Sequence, residues 1–265
     1  LSPSEVDAGS NTKAVARKIL HALGRDYQLG AVVHHSTASI GATLFLGQAA
    51  SVDDLMKQVD LALYRTKAAG RNNVRFFDPE METAVLRRVA LEKDLDEAIA
   101  ARQFLLHYQA QVTGEDRLTG TEVLLRWRHP QRGMVSPAEF IPLAEETGLI
   151  LRLGQWVLEA ACRQLVQWAG QAHLAHLTVA VNVSVHQFRQ ADFVDQVLAV
   201  LAETGANPQR LKLELTESLL VDNVEEVIDK MAALKAWGIG FALDDFGTGY
   251  SSLSYLKRLP LDQLK

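Results

Sequence analysis

From residue 104 onward the chain alternates short apolar runs with amphipathic stretches, and this rhythm constrains the fold more than any other feature. Apolar runs at 105–112, 121–127, 178–183, 212–216, 240–244 and 261–265 read as strands. Helical spacing fills most of the gaps, at 137–146, 154–168, 192–203 and 224–237. Strands alternating with helices long enough to cross back over them imply a mostly parallel sheet covered by helices. Two architectures satisfy that pattern, a β/α barrel and an open doubly wound sheet. No strand is followed by a dinucleotide glycine fingerprint or a P-loop, which favours the barrel.

The first 80 residues read as a separate, smaller α/β unit. Ser10 or Asn11 can cap a helix that carries Val15, Ile19, Leu20 and Leu23 at helical spacing and closes at Gly24. Strand-like runs follow at 27–29 and 31–45, the second broken at Ser39-Ile40-Gly41, where a bulge is expected. A second helix starts after Ser51 and ends at Gly70, and 73–77 reads as a short strand. A helix over 81–101, charged on one side, then leads onward. The organisation is therefore 1–80 as one unit, 81–103 as a connector helix and 104–265 as the second unit.

Composition narrows the function classes. A chain of 265 residues that is 48% hydrophobic is ample for a buried core. A net charge of −5 argues against a partner that is a nucleic-acid polymer, yet it leaves room for a small phosphorylated ligand. The single cysteine, Cys162, sits in an apolar helical pattern and reads as a buried, inert thiol. No apolar stretch is long enough to span a bilayer, and the first residues lack a signal peptide's basic and apolar run. The expected location is the cytoplasm, with room for a sensory or membrane segment upstream.

The informative pattern is where the acids fall. Glu122, Glu214, Glu217, Asp244 and Asp245, with the amide Asn182, interrupt or end otherwise apolar strands. Any one of them is explained equally well as a helix cap or a surface ion pair. Carboxylates recurring at the ends of several buried strands are costly to desolvate, and a divalent cation compensates that cost. In a β/α barrel the C-terminal strand ends converge on one face, so these side chains can meet there. A donor set of carboxylates and an amide, without Cys or His, selects hard cations such as Mg²⁺ or Mn²⁺ over zinc. Adjacent Asp244 and Asp245 suit two ions about 3.5–4 Å apart, as in two-metal phosphoester hydrolysis. The glycine-rich stretch 245–252 reads as an active-site loop, a phosphate cradle or a tight turn.

Other candidates are blander. His173 and His176 follow a helix in a polar loop and read as solvated. His107, His129 and His186 lack the spacing of a Ser-His-Asp arrangement, and no Gly-x-Ser-x-Gly elbow is present. Trp127, Trp156, Trp168 and Trp237 lie in apolar patterns and are expected in the core.

Five stretches resemble the EAL-domain family: Glu122-Val123-Leu124-Leu125-Arg126-Trp127, Phe140-Ile141-Pro142-Leu143-Ala144-Glu145, Asn182-Val183-Ser184, Glu214-Leu215-Thr216-Glu217-Ser218 and Asp244-Asp245-Phe246-Gly247-Thr248-Gly249. Order and spacing match from about Val89 to the last residue. Residues 1–80 resemble the C-terminal part of a GGDEF (diguanylate cyclase) domain, through Thr37-Ala38-Ser39-Ile40-Gly41 and the stretch from Ala62 to Asn72. The fold this implies is an incomplete TIM-like (β/α) barrel preceded by a partial α/β GGDEF-type domain. The activity it implies is metal-dependent hydrolysis of the bacterial second messenger cyclic di-GMP to linear pGpG.

By that resemblance Glu122, Asn182, Glu214 and Asp244 are metal ligands, with Asp245 at or bridging a second Mg²⁺ or Mn²⁺. Glu217 holds the 245–252 loop, Gln109 and Arg126 contact the ligand, and Lys265 stands near the catalytic water. A homodimer through the EAL domain is compatible with it. Three departures stand out: Val123 occupies the family's alanine position, Ala110 replaces a proline, and the family continues past Lys265 to a further essential glutamate. The stretch that gives the GGDEF domain its name, expected before residue 1, is absent from these residues too. The expectation is that this chain alone carries neither cyclase activity nor efficient hydrolysis. A non-catalytic cyclic di-GMP receptor is the alternative that Val123 suggests.

Overall fold

The computed structural model describes residues 5–30, 32–45, 51–114, 117–221, 223–244 and 258–264. Its contacts divide the chain into two units, Leu1–Ala90 and Leu91–Lys265.

In the first unit helix α1 (Glu5–Leu23) begins before the expected cap. Ser10 and Asn11 lie inside it and are exposed, so neither caps its terminus. Its buried side is Ala16, while Val15, Ile19 and Leu23 are exposed. The apolar run expected as one strand over 31–45 is two. Strand β1 (Asp26–Leu29) pairs antiparallel with β2 (Val32–His35), whereas β3 (Ile40–Ala42) belongs to a different, parallel pair with β4 (Val74–Phe76). No bulge explains Gly41. Helix α2 (Val52–Ala68) crosses it so closely that a Cβ there would lie 2.3 Å from the Val59 carbonyl oxygen. Ser51 caps α2 by accepting from the Asp54 backbone N–H at 3.1 Å, and its hydroxyl donates to the Asp54 carboxylate at 2.6 Å. That hydroxyl holds the Asp54 carboxyl below its ordinary range.

Helix α3 (Pro79–Ala100) runs on without a break, and its C-terminal half supplies Leu91, Leu95 and Ala98 to the core of the second unit. There β5 (Phe104–Val112) pairs antiparallel with β6 (Leu118–His129), whose end folds back as the short β7 (Gly133–Val135). Helices α4 (Pro137–Thr147) and α5 (Ile150–Ala169) follow, separated by a turn at Gly148, whose φ of 76° is left-handed. Helix α5 starts earlier than its periodicity suggests. Gly154 is interior rather than a boundary, because a Cβ there would meet the Gln187 side chain at 2.2 Å. Next come β8 (Thr178–Asn182), the one-turn α6 (Val185–Phe188), α7 (Phe193–Thr204), β9 (Leu211–Thr216), α8 (Val224–Lys235), β10 (Gly240–Asp244) and β11 (Gln263–Leu264).

The sheet order is β11-β10-β9-β8-β6-β5, with every pair parallel except β5–β6. Consecutive strands are neighbours and the order never reverses, so the switch point of a doubly wound sheet is missing from this path. One sheet face carries Val123, Val179, Val181, Leu213, Phe241 and Leu243, all buried against α5, α7 and α8. Covering helices on one face and polar side chains on the other is the layering of a barrel wall. Each of these Val, Leu and Phe side chains contributes roughly 1.5–3 kcal/mol by its burial.

A second cluster plugs the end near α3. The rings of Phe104, Trp127 and Phe140 lie with centroids 5.6–5.8 Å apart. His129 Nδ1 accepts from the backbone N–H groups of Gln131 and Arg132, each at 3.1 Å, which leaves the proton on Nε2, 3.1 Å from Asp94 Oδ2. Cys162 is buried as expected, and burial pushes its thiol up to about 12. Trp237 departs from the expected core position: it follows the end of α8 and is 61% exposed. Among the described residues no helix is long and apolar enough to cross a membrane.

Candidate active site

Strand parity places the polar residues. Side chains two apart along a strand share a face, and directly paired residues on neighbouring strands share it too. Gln109 pairs with Glu122, Glu122 with Ala180, Asn182 with Glu214, and Glu214 with Ala242, two residues before Asp244. Gln109, Glu122, Asn182, Glu214 and Asp244 therefore lie on one face, opposite the helices. Arg126, four residues beyond Glu122 on β6, shares it. Val123, 3% exposed and packed in the helix-side core, points the other way.

The residues also rise in a stagger. The step from Glu122 on β6 to Asn182 on β8 is two residues beyond the direct partner, and so is the step from Glu214 on β9 to Asp244 on β10. Tilted strands in a barrel carry this shear, which brings residues at different positions along their strands to one height. Two side-chain contacts agree. Asn182 Nδ2 donates to Glu122 Oε1 at 3.0 Å, and Gln111 Nε2 donates to Glu214 Oε1 at 3.4 Å. Gln111 lies on β5 and Glu214 on β9, three strand spacings apart, or about 14 Å across a flat sheet. Only a curled sheet lets them meet.

Burial grades the site. Glu214 is 1% exposed and Glu217 6%, Glu122 and Asp244 are half-buried, and Asn182 and Gln109 are exposed. Glu217 opens a short 3₁₀ turn, Glu217–Val221, directly after β9. Arg126 is half-buried, and its Nη1 donates to the Leu125 carbonyl at 2.9 Å. Asp245, Lys265 and the 245–252 loop lie outside the described residues. Gln111 belongs to none of the motifs in the sequence, yet it follows Gln109 by two residues and so shares its strand face.

The donor chemistry suits a hard divalent cation. Carboxylate and amide oxygens alone face this side at Glu122, Asn182, Glu214 and Asp244, and the hydrogen bond from Asn182 keeps two of these side chains within reach of one ion. Turning the Asn182 amide presents its oxygen in place of its nitrogen. Among the described residues no three His, Cys, Asp or Glu side chains already converge as a ligand cluster. His173 and His176 are exposed in their loop.

Residues 92–265 match the EAL domain model. The chain belongs to the EAL-domain family. Residues 1–73 match the diguanylate cyclase GGDEF domain. The chain is 40% identical over 257 residues to a bifunctional diguanylate cyclase/cyclic di-GMP phosphodiesterase, MucR of Pseudomonas aeruginosa, covering 97% of this chain and 37% of that protein. It is 40% identical over 233 residues to the cyclic di-GMP phosphodiesterase NbdA of the same organism, covering 86% of this chain and 29% of the relative. The chain thus spans about a third of the length of these relatives. Among solved structures it is similar to the PaMucR phosphodiesterase in its c-di-GMP complex, with 46% identity and a TM-score of 0.64, over 66% of this chain and 71% of that one. EAL domains adopt a TIM-like barrel, and the strand path from β11 to β5 is part of that wall.

Proposed function

We propose that the EAL unit of this chain is the hydrolytic part of a cyclic di-GMP phosphodiesterase that yields linear pGpG with Mg²⁺ or Mn²⁺. The observation that carries this reading is the shared, staggered strand face of Glu122, Asn182, Glu214 and Asp244. The similarity to relatives named as cyclic di-GMP phosphodiesterases supports the substrate. Glu122, Asn182, Glu214 and Asp244 would hold the metal, with Asp245 beside a second ion. Bound there, divalent cations lower the pKa of a water and neutralise charge developing on phosphate oxygens.

The protein's own side chains do the positioning. Arg126 offers a planar guanidinium whose paired N–H groups match two oxygens of a phosphate, a fit that a lysine ammonium lacks. Gln109, exposed beside Glu122, supplies an amide to the ligand. The family resemblance assigns Glu217, buried directly after β9, to the 245–252 loop and Lys265 to the attacking water, with the loop and Lys265 outside the described residues.

The test uses the full reading frame that contains this chain. Wild type should convert cyclic di-GMP to linear product with Mg²⁺ or Mn²⁺, and Glu122→Ala and Asp244→Asn should abolish conversion. Undiminished turnover of either variant at saturating Mg²⁺ would sink the ligand assignment. Isothermal titration beside the product assay addresses the receptor alternative, which requires tight binding without product.

A further inference from the structure

We infer that Gln111 is a positioning residue for Glu214, orienting its carboxylate toward the metal-binding face; this rests on the functional reading above. Glu214 is nearly fully buried, on the central strand β9, with no room to choose its rotamer by solvation. Gln111 reaches it from β5, across β6 and β8, and donates Nε2–H to Oε1 at 3.4 Å. Gly120, the direct partner of Gln111, is closed over by Thr178, whose Oγ1 would lie 2.2 Å from a Cβ there, and Ala180 on the intervening strand β8 carries only a methyl.

The direction of the bond matters. An amide N–H placed on one carboxylate oxygen restricts the plane of the group. Ligating carboxylates held by such outer hydrogen bonds are the usual arrangement at metal sites, and removing the partner typically costs 10–100-fold in metal affinity or activity. Gln111 also links β5 to β9 across the inner face of the sheet. Gln109, two residues away, faces Glu122 instead. Of the two glutamines on this face of β5, the structure assigns Glu214 to Gln111.

Gln111→Met keeps the length of the side chain and removes the donor, and Gln111→Asn keeps the amide but withdraws it from Glu214. Mn²⁺ affinity is read without substrate, by titration calorimetry or the loss of free-Mn²⁺ resonance signal, on wild type, both variants and Glu214→Gln. Both Gln111 variants should bind Mn²⁺ about tenfold more weakly. At saturating Mn²⁺ their KM for cyclic di-GMP should match wild type, with turnover largely restored. Unchanged Mn²⁺ affinity in a folded Gln111 variant, while Glu214→Gln loses binding, overturns this inference alone. A raised KM with unchanged Mn²⁺ affinity also overturns it, since Gln111 would then contact the ligand. Wild type that binds no Mn²⁺ overturns the functional reading and this inference with it. Circular-dichroism melts identify a variant that fails to fold, and the other variant then decides.

Discussion

Replacing Val123 by the alanine usual in the EAL family separates a packing role from a catalytic one. Val123 sits on β6 between Glu122 and Leu124, yet the pleat turns it away from both. It is 3% exposed in the cluster that includes Val157, Ala161 and Val181 beneath the helices. Val123→Ala removes two buried methyl groups, worth about 1.6 kcal/mol at ~0.8 kcal/mol each. Incomplete collapse around the gap brings the expected loss to about 2 kcal/mol. For a unit the size of Leu91–Lys265, each kcal/mol lowers Tm by about 2–4 °C, so the variant should melt about 4–8 °C lower. Its kcat and KM for cyclic di-GMP should stay within about twofold of wild type below the transition, because an inward-facing side chain is not touched. The assay is a thermal melt paired with product formation at 25 °C. The reasoning is refuted by a variant with unchanged Tm, or by one whose turnover shifts more than about tenfold while it remains folded. Either result would put Val123 on the ligand face and restore its weight as a sign of a receptor.

Other consequences follow from single contacts. Gly41→Ala should destabilise the first unit by about 2–3 kcal/mol, because its methyl meets the backbone of α2 at Val59 and Leu63 rather than a yielding side chain; an unchanged melt would contradict the close crossing. His129→Ala should cost about 2–4 kcal/mol, since the Gln131 and Arg132 N–H groups and Asp94 lose their shared partner; solvent denaturation measures it, and a loss under about 0.5 kcal/mol would disprove the arrangement. Burial raises Cys162 from an ordinary value of 9.0 to about 12 and Tyr108 from 10.0 to about 12. In each case the folded form binds the proton more tightly than the unfolded chain. Stability is therefore complete below about pH 9 and falls as pH rises toward 12, which denaturation midpoints at pH 8, 10 and 11 would show. The same burial should keep Cys162 unreactive toward a thiol reagent until the protein unfolds, and rapid labelling of the native protein would refute it.

The residues that were legible from sequence are those whose signal is local. Short apolar runs mark β6, β8, β9 and β10, and the acids that interrupt or end them mark Glu122, Glu214 and Asp244. The failures share a cause as well. Ser10 and Asn11 resemble caps, but only tertiary context decides whether a polar residue ends a helix or faces solvent within it. Gly154 resembled a helix boundary because its reason, the Gln187 side chain, lies more than thirty residues away in sequence. Gly41 suggested a bulge because the crossing of α2 above it is invisible in a strand pattern.

The site itself shows why spacing alone could not assemble it. Glu122, Asn182, Glu214 and Asp244 are separated by 60, 32 and 30 residues, and no fixed interval links them. What links them is register. The two-residue offset between β6 and β8 and again between β9 and β10 is the slant that strand tilt imposes on a barrel. Following that slant backwards from Glu122 leads to β5 at Gln109 or, two residues further, Gln111. The hydrogen bond to Glu214 selects Gln111. A residue outside every carboxylate pattern is thus tied to the site by the same geometric rule that gathers the acids, and that rule becomes visible once strand pairing is known.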